Sequence, residues 1–331
     1  MDFELSDDQV ALQQAVRSLC DGRFDMAAVR QLVDVGGVEA DRWRELAETG
    51  VFSLTAAEAK GGVGLGWAEA VIVFEQLGRA LVPGPLVDTL VAAPLVDGAT
   101  AGDQVVGMVA RTAGTVMVEY LDALDVLLIL DADGVHRVAP SELRAVPSRR
   151  PLDPLTPVHL VDGLPAGRPV ASTDEALALV ARATAVTAAL ELGVAAGATD
   201  LAVAYAKERH QFGRPIGSFQ AVKHRCADML VDVEGMRSAV YHAAWALGAD
   251  DPEGPVAAAT AKIWCSDAGV RVAESALQVH GGIGFTWESD VHLHLKRAQL
   301  DRTAFGDARH HRTRLAALLR ARLEAGESVL G

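Results

Sequence analysis

The sequence predicts a mainly α-helical protein with a small β region in the middle of the chain. Apolar residues recur at helical spacing between Ser6 and Leu81, and long segments rich in Ala, Leu and Val follow Thr173. Short apolar runs alternate with turn-forming residues from about Asp103 to Val161. The 331 residues exceed the usual size of one hydrophobic core. We therefore expect an N-terminal helical domain at 1–85, a small β domain at 86–168 and a C-terminal helical bundle at 169–331.

Composition narrows the class of protein. Hydrophobic residues make up 50% of the chain and aromatic residues only 5%, which favours helices packed through small side chains. The net charge of −14 argues against nucleic acid or an anionic membrane as a partner. The acidic N-terminus, MDFELSDDQ, does not resemble a signal peptide. The most apolar segment, 177–205, carries charged residues and is expected to be a buried helix of a cytoplasmic protein.

Local signals mark the ends of several predicted elements. Ser6 is a good N-cap for a first helix, and Pro83-Gly84-Pro85 ends the last helix of the N-terminal domain. Asp131-Ala132-Asp133-Gly134 predicts a β-hairpin with an Asp-Gly turn. Further on, helices are expected at 173–210, 217–248, 253–279 and about 308–325, and helices of this length suggest a bundle.

A first motif interrupts this helical region. The stretch KERHQFGRPIGSFQ begins at Lys207, and its Gly213 and Pro215 are poor residues for a helix interior. A simple helix–helix turn explains the glycine and the proline but not the accompanying polar side chains. Arg209, Gln211 and Gln220 could instead form a fork of donors for phosphate groups and polar ring edges.

A second motif is QVHGGIGF, which begins at Gln278. A helix that ends in Gly-Gly is an ordinary C-cap, but three glycines within four residues also let a ligand approach the backbone closely. No strand precedes the glycines, so a Rossmann dinucleotide site is rejected. Alone, this motif is a weak signal.

Together, in this order, the two motifs resemble the acyl-CoA dehydrogenase family. The N-terminal segment AAEAKGGVGLGWAEAVIVFEQLGRALVPGP also resembles the family's segment between its N-terminal helices, so the resemblance covers nearly the whole chain. It implies the family fold: an N-terminal helical domain, a middle β-barrel, reduced in this chain, and a C-terminal four-helix bundle. It further implies FAD and the desaturation of an acyl-CoA thioester. In that reaction a carboxylate removes the α-proton and the β-hydrogen leaves as hydride to the flavin.

The resemblance also assigns cofactor-binding residues by position. In the family, the equivalent residues of the bundle reach a flavin held by the neighbouring subunit. The implied FAD-binding residues are Arg209, His210, Gln211, Phe212, Phe219, Gln220, Gln278, Val279, His280, Gly281 and Gly282.

The sequence departs from the family at the catalytic base. Most members carry a catalytic Glu just before a Gly downstream of the Gly-Gly motif, and here Phe305 precedes Gly306. A minority carry the Glu early in the first bundle helix, and counting back from Arg209 places Ala183 there. Neither side chain can accept a proton, so no catalytic residue is assigned.

Two nearby carboxylates, Glu191 and Asp307, could substitute as a base, although a surface or cap role is the favoured prediction for each. His280 could be catalytic, but a helix-end histidine near a polar ligand is the simpler interpretation. His292, His294, His310 and His311 have no ordinary metal-ligand spacing, so no metal is expected and they are predicted to form a solvated or interface face.

A second departure concerns the flavin ring. The family's Thr-Glu-Pro-like and Trp-Ile-Thr/Ser segments, which contact the isoalloxazine, are not found between Pro85 and Arg168. We therefore expect a subunit that completes the FAD site of a related, fuller acyl-CoA dehydrogenase subunit. Such heterotetramers, with two copies of each subunit, occur among actinobacterial family members that act on steroid-derived CoA thioesters. Electrons would leave through an electron-transfer flavoprotein.

Two alternatives remain open at this point. The chain could be a self-sufficient homo-oligomeric dehydrogenase that uses Glu191 or Asp307 as its base. It could also be a non-catalytic scaffold or binding protein that retains the fold without flavin.

Overall fold

The computed structural model of the chain describes residues 4–326 and residue 328. The first helix begins as predicted at Ser6, whose hydroxyl accepts a hydrogen bond from the Gln9 N–H at 3.2 Å. The Gln9 side chain accepts in return from the Ser6 N–H at 3.1 Å, which completes a capping box. The N-terminal helices are α1 (Asp7–Arg23), α2 (Met26–Leu32), α3 (Ala40–Glu48), α4 (Trp67–Arg79) and α5 (Leu86–Ala92).

The middle of the chain forms two small sheets. Their strands are β1 (Val106–Ala110), β2 (Thr115–Glu119), β3 (Val126–Asp131), β4 (Gly134–Val138), β5 (Ala145–Pro147), β6 (Val158–Asp162) and β7 (Arg168–Ala171). One sheet has the order β1-β3-β4-β7, with β1 and β3 parallel and the other neighbours antiparallel. The other sheet is antiparallel with the order β2-β6-β5. Strands β1 to β5 therefore lie within the predicted stretch from about Asp103 to Val161, β6 ends one residue after it, and β7 lies beyond it.

The predicted hairpin joins β3 and β4, but its turn differs from the prediction. Asp131 pairs with Gly134, so Ala132 and Asp133 are the central residues and the Asp-Gly pair is not. Gly134 is needed for another reason. A Cβ at that position would lie 2.2 Å from the carbonyl oxygen of Ala171, so the glycine allows β7 to approach.

The C-terminal half is helical. It contains α6 (Thr173–Glu208), the two short strands β8 (His210–Gln211) and β9 (Arg214–Pro215), α7 (Gln220–Gly248), α8 (Gly254–His280), α9 (Val291–Asp301) and α10 (Ala308–Glu324). The predicted bundle helices match α6, α7, α8 and α10 closely, and the mainly α fold class is confirmed. The sequence did not predict α9.

The chain divides into two compact units. One comprises 1–73 with 82–183, and the other comprises 74–81 with 184–331. Within the second unit, glycines let two helical backbones touch. A Cβ on Gly193 would lie 2.0 Å from the Glu75 carbonyl oxygen, and one on Gly78 would lie 2.3 Å from the Leu190 carbonyl oxygen. This contact has no room for a larger side chain on either helix.

Helix α6 is long and apolar enough to cross a membrane by length and composition alone. However, 72% of its most apolar window is buried inside the protein, as in the core helix of a bundle. The helix is therefore only weak support for a membrane span.

Candidate cofactor and catalytic site

The helix break at the first motif is a small hairpin. Helix α6 ends at Glu208, β8 pairs with β9, and the Ile216 N–H donates to the Arg209 carbonyl oxygen at 2.7 Å. The turn is made by Phe212 at φ 55° and Gly213 at φ 78°. Both lie in the left-handed region, which favours glycine and makes the phenylalanine a locally strained residue.

Some polar side chains of this hairpin form hydrogen bonds within it, and others are exposed. Gln211 Nε2 donates to the His210 carbonyl oxygen at 2.8 Å, and His210 Nδ1 donates to the Glu208 carbonyl oxygen at 2.9 Å. Arg209 is exposed and forms no ion pair within the described part of the chain. Gln220, the first residue of α7, is also exposed. The Arg209 guanidinium is therefore free to bind an anion.

Aromatic side chains accompany these polar groups. Phe212 is 91% exposed, and its ring meets the edge of Phe219 with centroids 6.0 Å apart. The Arg214 guanidinium lies 4.2 Å from the centroid of the Phe219 ring, a cation–π contact. The exposed Phe212 ring and the Phe219 ring beside it form a small apolar surface next to the polar groups of the hairpin.

The second motif lies at the end of α8. Gln278 is exposed and Val279 is buried. Gly281 ends the helix at φ 65°, and a Cβ added to either Gly281 or Gly282 would meet no atom within 4 Å. The chain here offers open space beside its backbone, which suits a ligand that approaches closely.

Tyr205 brings the two motifs to the same end of the bundle. Its ring stacks on His280 with centroids 4.5 Å apart and an interplanar angle of 19°. Its carbonyl oxygen accepts from the Arg209 N–H at 2.8 Å, so it lies one helical turn before that arginine. Sequence reasoning missed Tyr205. Its spacing from Arg209 on one helix face was the only available signal.

Neither residue at the positions expected for the family base is a carboxylate. Ala183 is fully buried. Phe305 adopts a left-handed φ of 52°, and its carbonyl oxygen accepts from His311 Nε2 at 3.0 Å. Both residues are unable to remove a proton.

The prediction of a surface or cap role for Glu191 is wrong. Glu191 is 2% exposed in the middle of α6, and Lys262 Nζ donates to its Oε1 at 2.6 Å. Ser266 Oγ donates to the same oxygen at 3.1 Å, while Lys262 also donates to the Asp301 carbonyl oxygen at 2.8 Å. Burial raises the pKa of Glu191, and the charge of Lys262 opposes that shift. The two residues of this pair are 71 positions apart in the sequence, so a local pattern did not reveal their contact.

The cap role predicted for Asp307 is confirmed. Its carboxylate accepts from the His310 N–H at 2.8 Å at the start of α10. This hydrogen bond is the main cause of a lowered pKa for Asp307. A carboxylate with a lowered pKa is a weak base, which does not suit it to proton abstraction.

The predicted solvated histidine face is also wrong for three of its four members. His292, His294 and His311 are buried, and only His310 is exposed. Burial lowers the pKa of His294 and of His311 to about 4. Both histidines of the missed helix α9 are buried because four consecutive residues, 291–294, are enclosed on all sides of the helix.

A possible metal-ligand group lies at the β3–β4 hairpin. Ligand atoms of Asp131, Asp133 and His136 lie within 4.8 Å of one another. Asp131 pairs with Arg111, and His136 Nε2 lies 2.8 Å from the Asp133 carboxylate. Local pairing of these charges explains the group without an ion.

Comparison with known proteins identifies the family. The sequence matches the description "Acyl-CoA dehydrogenase, N-terminal domain" over residues 6–103 and "Acyl-CoA dehydrogenase, C-terminal domain" over residues 176–319. It is 36% identical to the acyl-CoA dehydrogenase IpdE2 of Mycolicibacterium smegmatis over 319 residues, which cover 95% of this chain and 99% of that protein.

Solved structures agree with the sequence matches. The ChsE4-ChsE5 complex from Mycobacterium tuberculosis is similar with a TM-score of 0.84 and 29% identity, covering 97% of this chain and 99% of that one. The Tcur3481-Tcur3483 steroid ACAD has a TM-score of 0.85 and 26% identity, covering 96% and 99%. The predicted family is thus confirmed, and with it the class of FAD-dependent oxidoreductases. The chain belongs to the acyl-CoA dehydrogenase family.

Proposed function

We propose that this chain is a subunit of an FAD-dependent acyl-CoA dehydrogenase that lacks its own catalytic base. In this proposal it completes the FAD site of a related partner subunit, which supplies the catalytic carboxylate and the flavin-ring half of the pocket. The reaction is the α,β-desaturation of an acyl-CoA thioester, and electrons pass on to an electron-transfer flavoprotein.

The positions and hydrogen-bond partners of the chain's own candidate carboxylates support this proposal. The resemblance implies that Ala183 and Phe305 stand at the two base positions of the family, and the two candidate substitutes, Glu191 and Asp307, are both engaged elsewhere. Glu191 is sealed in the core by Lys262, and Asp307 caps α10. A general base must reach the substrate proton through open space, which Glu191 lacks. These contacts count against the self-sufficient alternative.

The exposed end of the bundle fits the nucleotide half of FAD. Arg209 is an exposed guanidinium without an ion pair among the described residues, and such groups bind diphosphates through charge-assisted hydrogen bonds. Gln220 and Gln278 add exposed amides, and Gly281–Gly282 leaves space beside the backbone. When bound, FAD supplies the hydride acceptor. This chain's residues would hold its diphosphate and adenosine, and these contacts count against a flavin-free scaffold.

Related proteins support the partner and the substrate class. Two of the similar structures are named as pairs, ChsE4 with ChsE5 and Tcur3481 with Tcur3483, and the latter is called a steroid ACAD. We extend both features to this chain. It would form a cytoplasmic heterotetramer with two copies of each subunit, and its substrate would be a steroid-derived CoA thioester.

Flavin content tests the proposal. The tagged chain is purified alone and as the complex isolated from its native cells, and the yellow flavin absorbance band is measured in each. We expect FAD in the complex and little in the lone chain. Stoichiometric FAD in the lone chain, with acyl-CoA oxidation removed by the isosteric change Glu191→Gln, would establish the self-sufficient enzyme instead. A flavin-free complex would favour the scaffold.

A further inference from the structure

A cavity of about 540 Å³ lies in the first compact unit, between the N-terminal helices and the β domain. Its walls come from the α2–α3 loop, α3, the segment before β1, and residues 120–125 with Pro157. This volume is within the range of small-molecule sites in proteins, about 300–1,000 Å³. None of the lining residues belongs to the two motifs or to the expected base positions, so the cavity is separate from the candidate cofactor site.

Trp43 on α3 forms part of the wall and is held in one orientation. One face of its indole stacks on Phe52, with centroids 4.4 Å apart and an interplanar angle of 29°. The edge at Cζ3 lies against Gly84, which is not part of the wall, since a Cβ there would lie 2.7 Å from Cζ3. The opposite edge carries Nε1 and lies beside Gly102, which does line the cavity, and a Cβ there would lie 3.7 Å from Nε1. The N–H edge of the indole is therefore directed to the side of the cavity.

This N–H is an unsatisfied donor. Trp43 is 4% exposed, and its Nε1 has no hydrogen-bond partner among the residues that the structure describes. An indole N–H can only donate, and a buried donor without an acceptor destabilises the folded chain. Gly102 places no side chain between this nitrogen and the cavity. An oxygen atom of a bound ligand would supply the missing acceptor.

The polar groups around the cavity are mainly acidic. Asp103, Asp122 and Asp125 line it, and all three are exposed. The Asp103 carboxylate makes no hydrogen bond or ion pair within the described part of the chain. Arg44 is the one basic residue of the lining, and it already pairs with Asp41 at 3.1 Å. A cleft lined by charges of one sign attracts small ions of the opposite sign, here a cation.

We propose that this cavity binds a small organic ammonium ion that has an apolar body and carries a hydroxyl or carbonyl oxygen. Trp43 Nε1 donates to the ligand oxygen, and the carboxylates, Asp103 first among them, attract the ammonium group. The apolar part of the wall contacts the body of the ligand and consists of Val35, Val38, Val105, Ala123 and Pro157. This site is independent of the proposed role in FAD binding.

Three related probes test the two polar ends of the ligand separately. Tyramine carries an ammonium group, a phenyl ring and a hydroxyl, whereas phenethylamine lacks the hydroxyl and para-ethylphenol lacks the ammonium group. Their dissociation constants for the full chain are measured by ligand-observed NMR. We expect tyramine to bind roughly three- to tenfold more tightly than either of the others, because each of them loses one polar contact.

The indole resonance of Trp43 reports the expected hydrogen bond directly. The chain has five tryptophans, and the indole signal of Trp43 is the one that Trp43→Phe removes. Tyramine added to the isotope-labelled chain should shift the N–H proton of Trp43 downfield. Phenethylamine should shift it less, because it offers no acceptor.

Substitutions on both sides of the cavity test the two contacts. Trp43→Phe removes the donor but keeps a ring against Phe52, so it should bind tyramine and phenethylamine equally. Asp103→Asn removes one charge, so the dissociation constant of tyramine should rise roughly two- to fivefold while that of para-ethylphenol stays unchanged. The thermal midpoint of each variant is recorded. If Trp43→Phe fails to fold, Asp103→Asn and the three probes still decide the matter.

Asp162→Asn is the matched control. Asp162 is exposed like Asp103, but it lies at the end of β6 away from Pro157 and does not line the cavity. It should leave all three dissociation constants unchanged.

The outcomes decide between a built site and unspecific binding. A preference for tyramine that Trp43→Phe and Asp103→Asn each reduce supports the inference. Equal binding of the three probes overturns it, and so does an unshifted Trp43 resonance at about 10 mM tyramine, well above the dissociation constant of even a weak small-molecule site. Equal losses in Asp103→Asn and Asp162→Asn would also overturn it. None of these measurements depends on flavin, so a failure here leaves the proposed function intact.

Discussion

Two groups of polar side chains in the helical bundle contrast sharply. The buried group, Glu191, Lys262 and Ser266, is closed on itself, since each of its charged atoms meets a partner within the chain. The exposed group at the ends of α6 and α8 includes Arg209 and His280, which leave a guanidinium and an imidazole nitrogen open to solvent.

This difference teaches where to look for function in a chain of this kind. A buried carboxylate in the bundle of such an enzyme could be taken for the catalytic base. Whether it can remove a proton from a substrate depends on the groups that it contacts. Internal pairing makes Glu191 a structural residue despite its burial. Open donors and acceptors on restrained residues are the better sign of a ligand site.

Lys262→Met should produce the largest effect. It leaves Glu191 buried without a counter-charge, and the loss of one member of a buried pair costs about 3–5 kcal/mol of unfolding free energy. Chemical denaturation of the lone chain measures this. The double variant Lys262→Met with Glu191→Leu should recover much of the stability, because apolar replacement of a whole buried pair is often neutral. Equal losses in the single and the double variant would contradict a closed pair.

His294 should make the lone chain less stable in acid. Burial lowers the pKa of His294 to about 4, whereas a histidine in the unfolded chain has a pKa of about 6.5. Its neutral form is therefore favoured by folding. The unfolded chain binds the proton first as pH falls from about 6.5 to 4, so stability is complete above this window and is lost through it, by as much as roughly 3 kcal/mol.

Denaturation of wild type and His294→Gln across that pH window checks the effect. As pH falls, the free energy of unfolding of wild type should decrease more than that of His294→Gln. The exposed His310 gives a control, since His310→Gln should leave the pH dependence close to that of wild type. A pH-independent difference for His294→Gln would show that the residue does not titrate between its two states as expected.

Arg209→Ala should weaken FAD binding in the complex without unfolding the chain. A charge-assisted hydrogen bond contributes about 1.5–3 kcal/mol, so the FAD dissociation constant should rise roughly 10- to 150-fold. Flavin titration measures the constant, and the thermal midpoint of the lone chain should stay near that of wild type. Arg271→Ala is the control, because Arg271 is paired with Asp232 at 2.7 Å. Equal FAD dissociation constants for both variants would show that Arg209 does not contact FAD.

Asp307→Ala should have the smallest effect. The loss of the N-cap of α10 costs about 1 kcal/mol, and Asp307→Asn should cost less because Asn also caps helices. The pKa of Asp307 is lowered, so the carboxylate's contribution is present above the unfolded pKa and is lost as pH falls through the folded one. Acyl-CoA oxidation by the complex should not change. A large loss of turnover in Asp307→Asn at neutral pH would instead point to a catalytic carboxylate.

Sequence patterns predicted the parts of this molecule whose structure depends on residues close together in the chain. The bundle helices, the N-cap at Ser6 and the cap at Asp307 all follow from local chemistry, and the structure contains each. Burial of His294 did not follow, because the first turn of α9 is buried on all sides whether its residues are apolar or polar. The pairing of Glu191 with Lys262 could not be predicted from the sequence either, since the two residues are distant in the chain and meet only in the packed bundle.

The sequence predicted both motifs of the candidate site but not the contact that joins them. Arg209 and Gln278 stood out as polar residues beside glycines, whereas Tyr205 looked like one more apolar position of a long helix. Its stacking on His280 depends on how α6 and α8 meet, which no local pattern encodes.

The glycine contacts beside α6 limit what Glu191 could do as a catalytic base. Gly193 and Leu190 flank Glu191 and lie against the backbone of the 74–81 segment, so this part of α6 has no freedom to rotate about its axis. Glu191 cannot be swung outward by small adjustments of its neighbours. If the chain depends on a partner's base, as we propose, independent activity would require a new carboxylate at another position, so that such dependence would be hard to reverse.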